Sequence, residues 1–246
     1  MRKLHLSILV LLAFASTSWT GGGATMMMVG GTAAVAGGGG GSPSFTYENK
    51  RNSAVGKVVQ LTGVTAGDLV VSLLQWQDSN VTPTISDGSS SWSYATVKIN
   101  TAEYIRLAYT LSSVASGTVT YTWTATGGGG HTSHAIAVAS TGTVSLDTID
   151  AIGSGASGTA TSGSETSAEA VMVAFGATGS YTSSVLYTGT LDGVSVTDNT
   201  TVIDSGYGAT GALTVRIMNN PGTYNSVMTF DGTSNWVSDL IAFKAN

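Results

Sequence analysis

One hairpin pattern occurs twice in this chain, and that repeat restricts the fold more than any other feature of the sequence. In residues 117–140, Val119, Tyr121 and Trp123 alternate with threonines, which is the period-2 pattern of a strand with one apolar face. A glycine run and a small apolar strand follow, so the unit predicts a β-hairpin, and the same unit returns at 222–245. Aligned without gaps, the two copies share Gly117/Gly222, Thr118/Thr223, Thr124/Thr229, Gly127/Gly232, Ser133/Ser238, Ile136/Ile241 and Ala137/Ala242.

The repeat extends upstream of the hairpins. Arg106 and Arg216 each lie in the strand before a hairpin, and an acidic residue, Asp68 in the first copy, stands just ahead of an earlier apolar strand. The chain is therefore predicted to consist of two similar halves, about 45–152 and 153–246. A half alone would expose an apolar face, so the predicted fold class is all-β, an antiparallel two-sheet β-sandwich of jelly-roll type.

The composition agrees with short strands joined by tight turns. Glycine contributes 33 residues and proline only three, and no segment has convincing helical periodicity. Residues 153–167 are rich in Gly, Ser and Thr and are interpreted as a crossover loop, so 45–246 is predicted to be one domain. The predicted strands are 45–47, 57–61, 68–76, 92–99, 104–111, 118–124, 133–139, 145–149, 170–175, 184–187, 194–196, 212–218, 224–230 and 237–243.

Residues 1–20 have the features of a secretory signal peptide, or more generally of a hydrophobic N-terminus. Arg2 and Lys3 precede a short apolar run, 6–14, and small residues follow at the cleavage positions. The run is too short to cross a bilayer, so no transmembrane anchor is expected in the mature chain. Residues 21–44 are predicted to be a Gly-rich flexible arm, or an arm that becomes ordered against neighbouring subunits. We therefore expect an extracellular, cell-surface or virion location.

Charge and cysteine content exclude several classes of protein. Charged residues are 9% of the chain, and Lys and Arg together number nine. This is too sparse for the basic surface that nucleic-acid binding needs, so no nucleic-acid partner is expected. Cysteine is absent, so neither disulfides nor thiolate metal sites can form and the fold depends on its core.

The sequence contains no convincing catalytic or metal-binding constellation. His131 and His134 are three apart, and on an extended strand they would point to opposite faces, so the segment is interpreted as a polar loop tip without metal. Asp147 and Asp150 lie near a strand end, where fold closure or a calcium contact is possible. Carboxylates do not cluster as in glycosidases, and neither a nucleophile elbow nor a Walker loop occurs, which predicts that the protein is not an enzyme.

The loop 78–87 leaves calcium open as the single cofactor candidate. Asp78 and Asp87 stand at its two ends with polar residues between them. The loop lacks the alternating aspartates of known calcium loops, so calcium is a weak alternative to the prediction of no cofactor.

Two aromatic residues are the candidate ligand-binding residues, and five other side chains are assigned structural roles. Trp92 and Tyr94 lie where a polar loop enters a strand, and exposed rings there can stack on sugars. Trp92 is interpreted equally as a packing residue. The predicted structural residues are Asp68, which we expect to pair with Arg106, together with Trp123, Arg216 and Trp236.

The segments GDLVV (67–71), IRLAY (105–109), GTVTYTWT (117–124), HAIAVASTGTVSLDTID (134–150) and WVSDLIAFK (236–244) together resemble a known group. This group consists of largely uncharacterised β-sandwich proteins found among bacterial exported proteins and tailed-phage virion proteins. The shared motifs are core and turn patterns, so the resemblance implies a fold rather than an activity. Members often carry a Gly-rich N-terminal segment, as this chain does.

The sequence thus predicts a non-enzymatic extracellular or virion-surface protein with a structural or attachment role. It would act through self-association, contact with other structural subunits, or binding to a surface. The alternative is a secreted carbohydrate-binding module that recognises surface glycans through Trp92. A structural protein should purify in a large assembly, whereas a glycan-binding module should be monomeric and retained on polysaccharide.

Overall fold

All regular structure in the described part of the chain is β. The computed structural model describes residues 25–29, 32–36, 42–77, 81–126, 129–181, 186–191, 193–196, 199–204 and 207–246. Every strand pairing in these residues is antiparallel. The all-β antiparallel prediction is therefore confirmed, and each predicted strand overlaps an observed one.

The strands are numbered in chain order. The first eleven are β1 (Thr25–Val29), β2 (Thr32–Ala36), β3 (Ser44–Val55), β4 (Val58–Val64), β5 (Leu69–Gln77), β6 (Thr84–Ser86), β7 (Ser93–Tyr94), β8 (Lys98–Asn100), β9 (Glu103–Thr110), β10 (Gly117–Thr124) and β11 (His131–Thr141). The others are β12 (Val144–Thr148), β13 (Gly153–Thr161), β14 (Glu165–Ser167), β15 (Met172–Tyr181), β16 (Leu186–Leu191), β17 (Val194–Val196), β18 (Asn199–Asp204), β19 (Ala209–Met218), β20 (Gly222–Tyr224) and β21 (Ser226–Ala245).

The strand order of the first half recurs in the second half. The central sheet of the first half has the order β3-β11-β5-β9-β7, with β8 also paired to β9, and a three-stranded sheet has the order β4-β10-β6. The second half repeats this order: β13 pairs with β21, and β15, β19 and β18 follow β21 across the sheet. β14 pairs with β20 as β4 pairs with β10, and β16 pairs with the start of β21 as β6 pairs with β10.

Two apolar cores hold three layers together: the three-stranded sheet, the central sheet of the first half, and the second half. One face of the central sheet packs on the second half, where Leu73, Ile105 and Ile136 meet Phe175 and Phe243 in one buried cluster. The opposite face of the same sheet packs on the three-stranded sheet through a second cluster that includes Trp76, Tyr121 and Trp123. We call this second cluster the outer core of the first half. The central sheet is therefore buried on both faces, which explains why β5 has no exposed residue.

The structure differs from the sequence expectation in three places. The described strands divide among five sheets, and the second half contributes an eight-stranded sheet and the two-stranded sheet β14-β20, so the two-sheet jelly-roll detail is not confirmed. Residues 153–167 are not a crossover loop, because β13 and β14 lie there. Their glycines are needed for close approach: a Cβ at Gly155 would come within 2.8 Å of the Trp236 ring. Within the arm 21–44, β1 and β2 pair with each other, and the signal-like residues 1–20 lie outside the described residues.

Candidate functional site

The predicted ligand-binding rings close the edge of the outer core of the first half. β6 is an edge strand of the three-stranded sheet, β7 is an edge strand of the central sheet, and Trp92 and Tyr94 pack into the cluster between the two sheets. The Trp92 ring meets Tyr121 edge to face, with centroids 5.6 Å apart and planes at 83°. Both rings remain partly exposed, so they combine a packing role with a limited accessible surface.

Arg106 holds Tyr94 from the side of the central sheet. Its guanidinium lies 4.2 Å from the centroid of the Tyr94 ring, a cation–π contact. The same group donates hydrogen bonds to the backbone carbonyls of Pro83 and Ala95. The Tyr94 hydroxyl accepts from the Ile85 N–H at 3.3 Å. Arg106 therefore ties β9 to the segments beside β6 and β7, and the ring face that it covers is not available to a sugar.

Asp68 does not pair with Arg106. Its carboxylate lies 3.0 Å from the ammonium of Lys50 and accepts the N–H of Thr65 at 2.9 Å. The expected ion pair was wrong because the partner of Asp68 comes from the edge strand β3, and no sequence pattern relates Lys50 to Asp68. Arg216 has the role that Arg106 has in the first half, since its guanidinium donates to the carbonyl of Leu191 at the end of β16.

The weak calcium candidate has an alternative explanation at one of its two ends. Asp87 accepts hydrogen bonds from the N–H groups of Ser89 and Ser90 and from the Ser90 hydroxyl at 2.6 Å. Partial burial opposes ionisation of Asp87, but the hydrogen bonds prevail and lower its pKa below the ordinary value. The carboxylate thus caps a turn, as aspartates before glycine commonly do. Asp78 lies outside the described residues, so the pairing of Asp78 with Asp87 stays a prediction.

The two histidines lie in strand β11 and not at a loop tip. His131 and His134 are both buried, and His134 Nε2 is 3.2 Å from the Thr132 hydroxyl. That hydroxyl donates to Gln75 at 2.7 Å, and Gln75 in turn donates to the buried Glu103. The loop interpretation was wrong because the glycine run ends before His131 and the pairing with β5 begins there. His134, Thr132, Gln75 and Glu103 thus form one chain of hydrogen-bonded polar groups inside the core.

The space for this polar chain comes from glycines of the second half. A Cβ at Gly211 would lie 2.5 Å from His134 Nε2, and a Cβ at Gly179 would lie 2.4 Å from a methyl group of Ile105. In the described ranges, no three His, Cys, Asp or Glu side chains converge as metal ligands. The buried polar chain therefore serves the contact between the halves.

The tryptophans assigned to the core are buried, as expected. Trp123 is 2% exposed and donates from its indole N–H to the Ser72 hydroxyl at 3.1 Å. Trp236 is 7% exposed and donates in the same way to Ser157 at 3.0 Å. A groove of about 450 Å³ opens beside Trp123, Lys57 and Thr82. Because the Trp123 ring is almost fully buried, this groove offers no stacking platform of the kind that sugar recognition uses.

Sequence reasoning missed a charged cluster that joins the two halves, in which Lys98 and Asp239 are buried and Asp150 is 31% exposed. The ammonium of Lys98 lies 2.7 Å from the carboxylate of Asp150, and the side chain of Asp239 is buried beside them with 1% exposure. Burial raises the pKa of Asp239 to about 7, with the positive charge of Lys98 acting in the opposite direction. The one available signal was an acidic residue inside the apolar strand WVSDLIAFK, because a carboxylate is rarely buried unless it is paired.

Comparison with known proteins gives no relative for this chain. It matches no family model, and it has no significant similarity to a curated protein or to a solved structure. Among the residues that the structure describes, none form a helix with the length and apolar character needed to span a bilayer.

Proposed function

We propose that the protein is a non-enzymatic structural or attachment protein that works outside the cell or on a virion surface. In this proposal the two similar halves together form one β-sandwich of jelly-roll type, with the shared apolar core between them. The resemblance to exported and tailed-phage β-sandwich proteins supports the same assignment. Function then depends on the outer faces and edges of the sheets rather than on a catalytic cleft.

The observation that carries this proposal is the uncharged outer face of the three-stranded sheet. All outward side chains of β4, β10 and β6 are exposed and neutral, and most carry hydroxyls. They are Val58, Gln60, Thr62, Thr84, Ser86, Thr118, Thr120, Thr122 and Thr124. Exposed sheet faces of monomers usually carry charges that prevent association, so a neutral face of this kind suits repeated contacts with another neutral surface.

Hydrogen bonds across the strands keep this face ordered. The hydroxyls of Thr84 and Thr124 are 2.7 Å apart, and the Gln60 amide donates to the Thr120 hydroxyl at 3.1 Å. Cross-strand pairs of this kind fix side-chain rotamers and so reduce the entropy that a contact must overcome. We call these nine residues the hydroxyl face.

The assembly state of the native protein tests the proposal. Light scattering after gel filtration and electron microscopy should show a large assembly, and Thr120→Lys with Thr122→Lys should disperse it by placing like charges on the contact. The matched control is Thr166→Lys in β14, another exposed strand threonine, which should leave the assembly intact. A wild-type monomer that is retained on polysaccharide and loses that retention in Trp92→Ala would instead support the carbohydrate-binding alternative.

A further inference from the structure

A buried lysine and two aspartates meet where the first half joins the second. Lys98 of β8 is 4% exposed, and its ammonium contacts Asp150 Oδ1 at 2.7 Å. Thr96 supports the same carboxylate through its hydroxyl at 3.0 Å and its N–H at 3.3 Å. Asp239 of β21 is 1% exposed, and its Oδ2 has no hydrogen-bond partner. A buried carboxyl oxygen without a partner is costly, and this one lies beside an ion pair.

Backbone contacts from two directions hold these side chains together. Asn100 follows Lys98 on the same face of β8, and its amide donates to the Trp236 carbonyl of β21 at 2.9 Å. The N–H of Ala151, next to Asp150, donates to the carbonyl of Leu240, next to Asp239, at 3.4 Å. Asp150 itself has φ = 71°, a left-handed conformation that few non-glycine residues adopt. The position of Asp150 is thus fixed by the surrounding fold.

We propose that Lys98 and Asp150 become joined by an intramolecular amide bond, with Asp239 as the proton donor and acceptor for its formation. The bond would connect strand β8 of the first half to the junction that leads into the second half. It would give this cysteine-free chain a covalent cross-link, and it goes beyond the proposed structural role.

The reaction needs no co-reactant. The ammonium proton of Lys98 passes to the Asp150 carboxylate in the ion pair, which leaves a neutral amine and a carboxylic acid. The amine nitrogen attacks Cγ of Asp150, while the Asp239 carboxyl donates its proton to the oxygen that gains negative charge. The nitrogen then returns one proton to Asp239, and one hydroxyl of the tetrahedral intermediate leaves as water with the proton of the other hydroxyl, which becomes the amide carbonyl. In sum, –NH₃⁺ and –COO⁻ become –NH–CO– and one water.

The surroundings hold the reacting groups of Lys98 and Asp150 in contact. Partial burial opposes ionisation of Asp150, whose side chain is 31% exposed, but hydrogen bonds from Lys98 and Thr96 prevail and lower its pKa, so the ion pair is the resting state. The neutral amine and acid form from it transiently, when one proton crosses the 2.7 Å contact. Asp239 retains a proton close to neutral pH, since burial raises its pKa to about 7. Proximity of the reacting groups on a rigid scaffold supplies an effective concentration far above that of free solutes.

Two other lysine–carboxylate pairs of the protein lack a third carboxyl that is as buried as Asp239. Lys244 contacts Glu169 at 2.7 Å, and the second carboxylate near it, Asp147 at 3.8 Å, is 14% exposed. Lys50 contacts Asp68 at 3.0 Å, and the second carboxylate near it, Glu48 at 2.8 Å, is 53% exposed. These pairs are therefore internal controls.

Intact-mass measurement of the purified full chain, with its N-terminal residue determined, tests the proposal directly. The wild-type protein is expected to weigh one water molecule less than its sequence, and peptide mapping should give one branched peptide that contains Lys98 and Asp150. Lys98→Arg should restore the full mass. Asp239→Asn should lower the cross-linked fraction after a fixed time by at least about tenfold, the usual contribution of a general acid being larger still. Lys244→Met and Lys50→Met should retain the missing water.

Several results would overturn the inference. A folded wild-type protein with its full mass would exclude the bond, and this measurement does not depend on whether any variant folds. A missing water located at another residue pair would refute the assignment to Lys98 and Asp150. Retention of the bond at the wild-type rate in Asp239→Asn would remove the role of Asp239. None of these readouts depends on the assembly state, so failure of the proposed function remains distinguishable.

Discussion

The two halves have the same strand order, but they differ at the bend where the chain passes from one layer of strands to the next. In the first half β3 and β4 are separated at Gly56, whose N–H donates to the carbonyl of His131 at 2.7 Å, and the sheets part there. In the second half the corresponding strands continue through Gly158 and Gly232, where a Cβ at Gly158 would lie 3.0 Å from the Gly232 carbonyl. Strand order thus follows the repeated pattern. The residues at these bends decide whether the strands beyond them leave for a separate three-stranded sheet, as in the first half, or mostly stay paired with β21 in the eight-stranded sheet.

The cores inside the two halves differ as well. The outer core of the first half contains Trp76, Tyr121 and Trp123, and Trp76 stacks on Tyr104 with centroids 5.3 Å apart. The second half has two smaller clusters built largely on Met and Ala, with Tyr224 in one and Phe230 and Trp236 in the other. Since buried apolar area sets most of the stabilisation, the first half should be the more stable one.

Replacement of one core tryptophan in each half should give the largest effect and the clearest difference. We expect Trp123→Ala to lower the free energy of unfolding by about 3–5 kcal/mol, because the surrounding aromatic cluster cannot collapse into the cavity. Trp236→Ala should lie at the low end of that range, since its cluster is smaller and closer to solvent. Urea denaturation followed by circular dichroism measures both. Equal losses would contradict the unequal cores.

The buried aspartates should respond with opposite signs. Asp239 has a pKa of about 7 in the folded state against an ordinary value of 3.8. Its contribution to stability is therefore full below about pH 4 and declines as the pH rises through 7, by on the order of 4 kcal/mol. Asp239→Asn should accordingly raise stability at pH 8 and change little at pH 4.

Asp68→Asn is the counterpart in the first half, and it should destabilise by roughly 1–3 kcal/mol because the buried Lys50 loses an acceptor. Both substitutions are compared in a Lys98→Met background, where no amide with Asp150 can form. Loss of Lys98 removes a charge that lowers the pKa of Asp239, so the expected sign is unchanged. Denaturant titrations at pH 4, 6 and 8 give the comparison, and a destabilising Asp239→Asn at pH 8 would contradict it.

The repeated arginines should give the smallest difference between the halves. Arg106→Gln and Arg216→Gln each remove a guanidinium that donates to a backbone carbonyl. The acceptor is Pro83, just before β6, in the first half and Leu191, at the end of β16, in the second. We expect a loss of about 1–2 kcal/mol for each, with Arg106 costing about 0.5–1 kcal/mol more through its contact with Tyr94. Thermal unfolding of the two variants measures this. A neutral Arg216→Gln would show that the repeated arginine stabilises the first half alone.

Local pattern was enough to predict most of the strands and part of the core. Alternation placed Val119, Tyr121 and Trp123 on one buried face, and all three are buried. The same rule could not find β13, because its Gly, Ser and Thr residues have no apolar period. That strand exists through pairing with β21 and through contact with Trp236, and both are tertiary effects that sequence periodicity does not contain.

Partners of charged residues were the least predictable part of the site. Asp68 stands before one strand and Arg106 lies within the neighbouring one, which predicted an ion pair. Asp68 instead contacts Lys50, which lies on β3. The cluster of Lys98, Asp150 and Asp239 brings together residues from β8, the junction and β21. Which charges meet depends on the order of strands across the sheets, and a single sequence does not specify that order.

Strand β21 also has consequences for the time at which the second half can form. It pairs with β12, β13, β15 and β16, all of which precede it in the chain. During synthesis these four strands must wait, unpaired on that side, until β21 has left the ribosome, whereas β3 to β11 already hold all the partners of the central sheet. Non-local pairing of this kind folds slowly. The second half therefore has the longer interval in which its strand edges are open to a chaperone or to another chain.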